Sequence, residues 1–186
     1  MRRAYKAAQS RLAVVVLALL ASFAIQHPAL AQPFGAGVYG ADVPFGDLTS
    51  VAINISDPID LTLLPSGGNF SGNDSHTVTI TSTDVVGYQL FVKATSTTAL
   101  TQGANTIATS ANSSPTTLAV NSWGYNTTSS TNNFRGMTLS DVLIKNATGP
   151  HKSGDATIFT YGALVDMTKP SGTYTVNVTY TAIGQS

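Results

Sequence analysis

Residues 172–182, GTYTVNVTYTA, constrain the fold more than any other stretch of the chain. Tyr174, Val176, Val178, Tyr180 and Ala182 alternate with Thr173, Thr175, Asn177, Thr179 and Thr181. A period of two separates an apolar face from a polar one only when the backbone is extended. Residues 155–166, DATIFTYGALVD, repeat the pattern through Phe159, Tyr161, Ala163 and Val165. Between the two runs, Lys169-Pro170-Ser171-Gly172 reads as a turn, with Pro presetting φ and Gly permitting φ > 0. An antiparallel hairpin is expected here. A lone hairpin is marginal in water, so the rest of the chain must supply the sheets that cover its apolar face.

Further strands are expected over residues 48–55, 59–64, 76–82, 85–94 and 118–125. In 76–82, His76, Val78 and Ile80 face one way and Thr77, Thr79 and Thr81 the other. Residues 85–94 are apolar on both faces, as in a central strand. Residues 66–75 (SGGNFSGNDS), 96–116, 126–133 and 146–154 read as loops, the second with at most one short strand. Only 134–144 has room for a helical turn, capped by Ser140. Many short strands between turn signals, almost without helix, predict an all-β protein. The expected architecture is an antiparallel Greek-key (immunoglobulin-like) β-sandwich, with a barrel as the alternative.

Residues 1–31 read as a secretory signal peptide: Arg2, Arg3, Lys6 and Arg11 precede an apolar run over 12–25 and a small-x-small site at Ala29-Leu30-Ala31. Residues 32–47, QPFGAGVYGADVPFGD, read as an extended N-terminal arm, either loose or adding a strand to a neighbour. Residues 48–186 are expected to form the sandwich domain. After the leader the chain holds five Lys and Arg against nine Asp, a net charge of −4 with no basic patch, which argues against nucleic acid as a partner. The absence of Cys excludes a disulfide framework and thiolate metal sites. No membrane span is expected in the mature chain, and the expected location is extracellular or at the cell surface.

No reaction centre is legible. The chain has no Glu, its Asp residues sit in turn-like contexts, His76 and His151 are far apart in sequence, and there is no G-x-S-x-G. An enzyme is not expected, nor a cofactor or metal. The nearest approach to a metal site is an oxygen-rich calcium set of Asn69, Asn73 and Asp74 with Asp57 and Asp60, whose spacing matches no known loop. A Lys–Asn isopeptide bond would need Lys93 and Asn177 to meet in the core, but Asn177 falls on the Thr-rich face. Trp123, the sole Trp, together with Tyr125 and Phe134 is either a platform for a sugar or a partner, or core packing between sheets. Seven Asn-x-Ser/Thr sequons, at Asn54, Asn69, Asn73, Asn112, Asn126, Asn146 and Asn177, matter only in a glycosylating host.

The segments Ser122-Trp123-Gly124-Tyr125, Thr160-Tyr161-Gly162, Lys169-Pro170-Ser171-Gly172-Thr173-Tyr174 and Val178-Thr179-Tyr180-Thr181-Ala182 resemble secreted surface proteins of host-associated bacteria such as the Saccharibacteria. They are distantly similar to the WxL surface domains of Gram-positive bacteria, with Tyr180-Thr181-Ala182 standing where that family carries Trp-x-Leu. The WxL resemblance implies peptidoglycan binding. Three functions are therefore expected to compete. One is a non-enzymatic secreted surface protein in adhesion or the envelope, with cell-wall polysaccharide or a surface protein as partner. The second is a carbohydrate- or peptidoglycan-binding module. The third is a pilin-like subunit, an oligomer assembling by strand addition.

Overall fold

The computed structural model describes residues 50–185; the expected signal peptide and arm lie outside them. Twelve strands follow in order: β1 (Ser50–Ile55), β2 (Leu64–Ser66), β3 (Asn69–Thr83), β4 (Gly87–Ala94), β5 (Leu100–Gln102), β6 (Asn105–Thr109), β7 (Thr116–Thr117), β8 (Ser122–Asn126), β9 (Asn133–Phe134), β10 (Val142–Thr148), β11 (Asp155–Val165) and β12 (Val178–Gln185). A seven-stranded sheet runs β1-β3-β11-β8-β6-β5 with β2 paired to β3. It packs on a three-stranded sheet, β10-β4-β12. The chain is thus the all-β sandwich that its alternation predicts. All ladders are antiparallel except β6–β8.

The core lies between the sheets and follows the period-two faces. Val78 and Ile80 of β3, Tyr88, Leu90 and Val92 of β4, and Phe159, Tyr161, Ala163 and Val165 of β11 are all buried there. Each large apolar side chain taken from water contributes about 1.5–3 kcal/mol, so these facing rows supply most of the force joining the sheets.

The expected hairpin is not formed. β11 is flanked by β3 and β8, so both its edges are occupied, while β12 pairs with β4 in the other sheet. Both runs keep their predicted faces, but those faces meet across the core rather than side by side: the Phe159 and Tyr180 rings sit edge-on with centroids 4.8 Å apart. Alternation fixes which side of a strand is apolar and leaves its hydrogen-bonding neighbour open.

Other expectations change as well. Residues 69–75 are strand, not loop: Gly67 and Gly68, both at positive φ, turn β2 into β3, whose first half pairs with the far end of β11. Residues 59–63 are not strand. No helical turn forms in 134–144, where Phe134 ends β9 and Val142 opens β10. Residues 100–109 hold two short strands turned at Gly103 rather than one.

Phe134 has a particular place. Gly124 and Gly162 are cross-strand partners on the outer face of the large sheet. The Phe134 ring covers the gap they leave, and a Cβ on Gly162 would lie 2.3 Å from Phe134 Cζ.

Candidate functional site

The sandwich is open along one side. Seven strands face three, and β12 is an edge of the smaller sheet. Hydrogen-bond parity shows which of its backbone groups are used. Asn177 accepts from the Thr95 N–H at 2.9 Å, in the register that pairs Thr179 with Lys93 and Thr181 with Phe91. Antiparallel ladders alternate, so odd-numbered residues bond β4, while the N–H and C=O groups of Val178, Tyr180, Ala182 and Gly184 point away from it. Among the described residues no strand pairs with that edge.

β1 is the matching edge of the large sheet. Ile53 lies opposite the buried Ile80, which puts Ile53 and Ile55 on the inner face, yet they are 37% and 43% exposed. The two edges converge at one end, where a Cβ on Gly184 would lie 3.0 Å from Val51 Cγ2. Toward Ile55 and Val178 a groove of about 1450 Å³ opens, lined by Ile59, Leu61, Phe70, Val165 and Val176 among others. Inner-face side chains left exposed beside an unpaired edge are what a sandwich short of one strand presents.

A polar relay crosses the groove floor. His76 Nδ1 lies 3.0 Å from the Asp57 carbonyl, which can only accept, so Nδ1 carries a proton. Nε2 is hydrogen-bonded to the Tyr180 hydroxyl at 2.7 Å. The Tyr180 oxygen in turn accepts from the Tyr161 hydroxyl. The relay ties β3, β11 and β12 together and anchors the start of the groove wall at Asp57. Burial pushes the Tyr161 phenol well above its ordinary value, reinforced by the charge of neighbouring Tyr180. Burial likewise raises Tyr180, against the hydrogen bond from Tyr161. Burial also raises Tyr125 and, together with Asp155, Tyr88.

Four phenols that ionise less readily folded than unfolded stabilise the protein fully below the free phenol value of 10.0, and that contribution is lost as pH rises beyond it. Their phenolate absorbance is therefore expected to appear together with unfolding in alkali. Tyrosines that ionise in the still-folded protein would contradict this.

Asp155 carries the opposite sign. Burial alone would raise it, but hydrogen bonds from Lys145 (2.5 Å) and Tyr88 (2.7 Å) hold the carboxyl below its ordinary value. Its contribution is present above the unfolded carboxyl value of 3.8 and fades as pH falls below it. Asp155→Asn is expected to flatten the acid limb of a stability–pH curve.

The sequence candidates are placed as follows. Trp123, Tyr125 and Phe134 are 1%, 0% and 3% exposed, so they offer no stacking face to a sugar. Trp123 Nε1 donates to the Thr98 carbonyl at 2.9 Å and its ring stacks on Tyr161. The calcium set does not assemble: the Asp74 carboxylate accepts the Asp60 and Ser75 amides. Among the described residues no cluster of His, Asp or Glu suits a metal. Lys93 pairs with Asp141 at 3.2 Å, and Asn177 is exposed. Two sequons are tied up, with Asn126 donating to Ser130 and Asn133 and Asn112 donating to Thr116, Thr117 and Phe134. The open edge and the relay were not read from the sequence. The inward parity of His76, Tyr161 and Tyr180 was legible, but not their meeting, which joins residues 104 apart.

No family model matches the chain, and no curated protein matches it. A chain from the solved structure described as "Chaperone-tip adhesin complex is vital for synergistic activation of CFA/I fimbriae biogenesis" is similar at a TM-score of 0.44 and 16% identity. The match covers 76% of this chain and 44% of that one, so this chain spans less than half its length. At that level the likeness carries no argument about function. Among the described residues no helix is long and apolar enough to cross a membrane.

Proposed function

We propose that this chain is a non-enzymatic protein of the cell surface whose sandwich is completed by an extended strand from a protein partner, in adhesion or envelope assembly. One observation carries the reading: Ile53 and Ile55 face the core yet lie exposed, and Ile55 shares a groove with Val178 and Tyr180 of the unpaired β12 edge. An added strand would pair that row and cover those side chains together, with main-chain bonds giving affinity and alternate side chains giving specificity. A lipid chain would leave the row of donors and acceptors unpaired, and a sugar lacks the regular spacing of a strand backbone that matches them in sequence. The signal-like residues 1–31 and the resemblance to secreted surface proteins support the address.

The test is amide exchange. In native assemblies released from the producing cells, the amides of Val178, Tyr180, Ala182 and Gly184 are expected to exchange at least tenfold more slowly than in the purified monomer. Equal exchange in both forms would remove the reading.

A further inference from the structure

We infer that the strand completing the groove is residues 34–40 of a second copy of this chain, so that copies join head to tail through the N-terminal arm. The inference rests on the strand-accepting reading above and names its partner.

The pattern of the arm fits the site. Phe34, Ala36 and Val38 alternate with Gly35, Gly37 and Tyr39, so in an extended chain one face is apolar throughout and the other carries a single side chain, that of Tyr39. The groove meets the free row at Val178 and Tyr180 and narrows toward Gly184, where β1 and β12 converge, so a short stretch of the arm is enough to fill it. No charge occurs between Gln32 and Ala41, which suits a site walled by Ile55, Ile59 and Leu61. Pro44, which lacks an N–H for any ladder, falls just beyond and leaves 41–49 as a linker.

The geometry favours another copy over the chain's own arm. β1 begins at Ser50, at the end where the edges of β1 and β12 converge on Val51 and Gly184. The groove opens at the other end, beyond Ile55, about 20 Å along the strand. To fill its own groove, the arm would have to spend residues 41–49 running back down β1 and reversing. An arm arriving from a neighbour enters the open end directly. The arm joins β1 at Ser50 and the groove lies beyond Ile55, so donor and acceptor are different parts of the chain and the contact is heterologous, propagating rather than closing on itself.

The test uses the full chain, expressed with its leader and recovered after export, and reads mass against concentration by light scattering. The wild type is expected to form species above dimer. A donor-defective variant, Phe34→Asp with Val38→Asp, and an acceptor-defective one, Ile55→Asp, are each expected to remain monomeric. Ile55 is already exposed, so the charge is tolerated in the monomer, and circular dichroism checks this. Mixed together, the two variants are expected to give a 1:1 heterodimer that grows no further, because each retains one competent half. Assembly lost in Ile55→Asp but retained in the arm variant would overturn the inference and leave the strand-accepting reading standing with a different donor. Ala182→Pro, which removes one outward N–H, serves as a second acceptor variant. A wild type that stays monomeric at every concentration, with protected 178–184 amides, would show the arm filling its own groove and also overturn the inference. A monomer with freely exchanging amides would sink both.

Discussion

Trp123→Ala is expected to cost about 3–5 kcal/mol of folding stability, the range for emptying a large aromatic site in a packed core. Three facts place it at the upper end of what this fold can lose. The side chain is 1% exposed, its ring stacks on Tyr161 at 6.4 Å between centroids, and its Nε1 satisfies the Thr98 carbonyl. Truncation opens a void beneath the groove, unseats the ring next to the His76–Tyr180–Tyr161 relay and leaves that carbonyl without its donor. Domains of this size hold roughly 5–15 kcal/mol, so the variant approaches the limit of folding. A urea midpoint that drops sharply at unchanged slope would report the loss. A variant as stable as the parent would mean that Trp123 is not a core residue. Trp123→Phe separates the contributions, since it keeps most of the apolar area and loses only the hydrogen bond, worth about 0.5–1.5 kcal/mol. Loss of any wall or partner binding in Trp123→Ala therefore reports unfolding unless the fold is measured alongside.

The sequence showed this core more clearly than it showed the site. Alternation gave the inner faces of β3, β11 and β12, and Val78, Ile80, Phe159, Tyr161 and Ala163 lie where period two puts them. Pairing did not follow, because residues 155–165 and 178–185 are as compatible with one hairpin as with two sheets, and only the competition of β3 and β8 for the edges of β11 decides between them. Residues 69–75 are strand where their composition suggests a loop, for a related reason. Asn, Gly, Ser and Asp are ordinary turn formers, but here the Gly72 backbone packs so tightly under Thr62 that a Cβ would lie 2.3 Å from its carbonyl oxygen. Glycine serves close packing in that strand, not turning. The open edge of β12 is a missing neighbour, and no residue type marks a missing neighbour. Its trace in the sequence is indirect, in apolar Ile53 and Ile55 that are only partly covered within the described chain.

Gly162→Ala is expected to destabilise the protein by about 1–3 kcal/mol, although alanine is ordinarily the better strand residue of the two. The added Cβ would sit 2.3 Å from Phe134 Cζ and 2.6 Å from both Cε atoms. The ring has little freedom to retreat: Tyr125 and Arg135 exchange backbone hydrogen bonds at 2.8 and 2.9 Å, and Asn133 and Phe134 pair with β7. Gly124 lies beside Gly162 under the same ring, and its Cβ would meet the Arg135 carbonyl oxygen at 2.4 Å. The aromatic cover thus depends on a glycine pair, and each explains the other. Phe134→Ala alone is expected to cost about 3–5 kcal/mol by uncovering that pair. Once the ring is gone, the clash at Gly162 is gone as well, so Gly162→Ala in the Phe134→Ala background should be neutral or stabilising by up to about 1 kcal/mol. The cycle should therefore show a rescuing coupling of about 1–4 kcal/mol, whereas independent sites add to within about 0.5 kcal/mol. Additivity would mean that the ring does not rest on Gly162 in solution. Coupling of the expected sign would establish that Phe134 is a structural lid on the outer face of the large sheet.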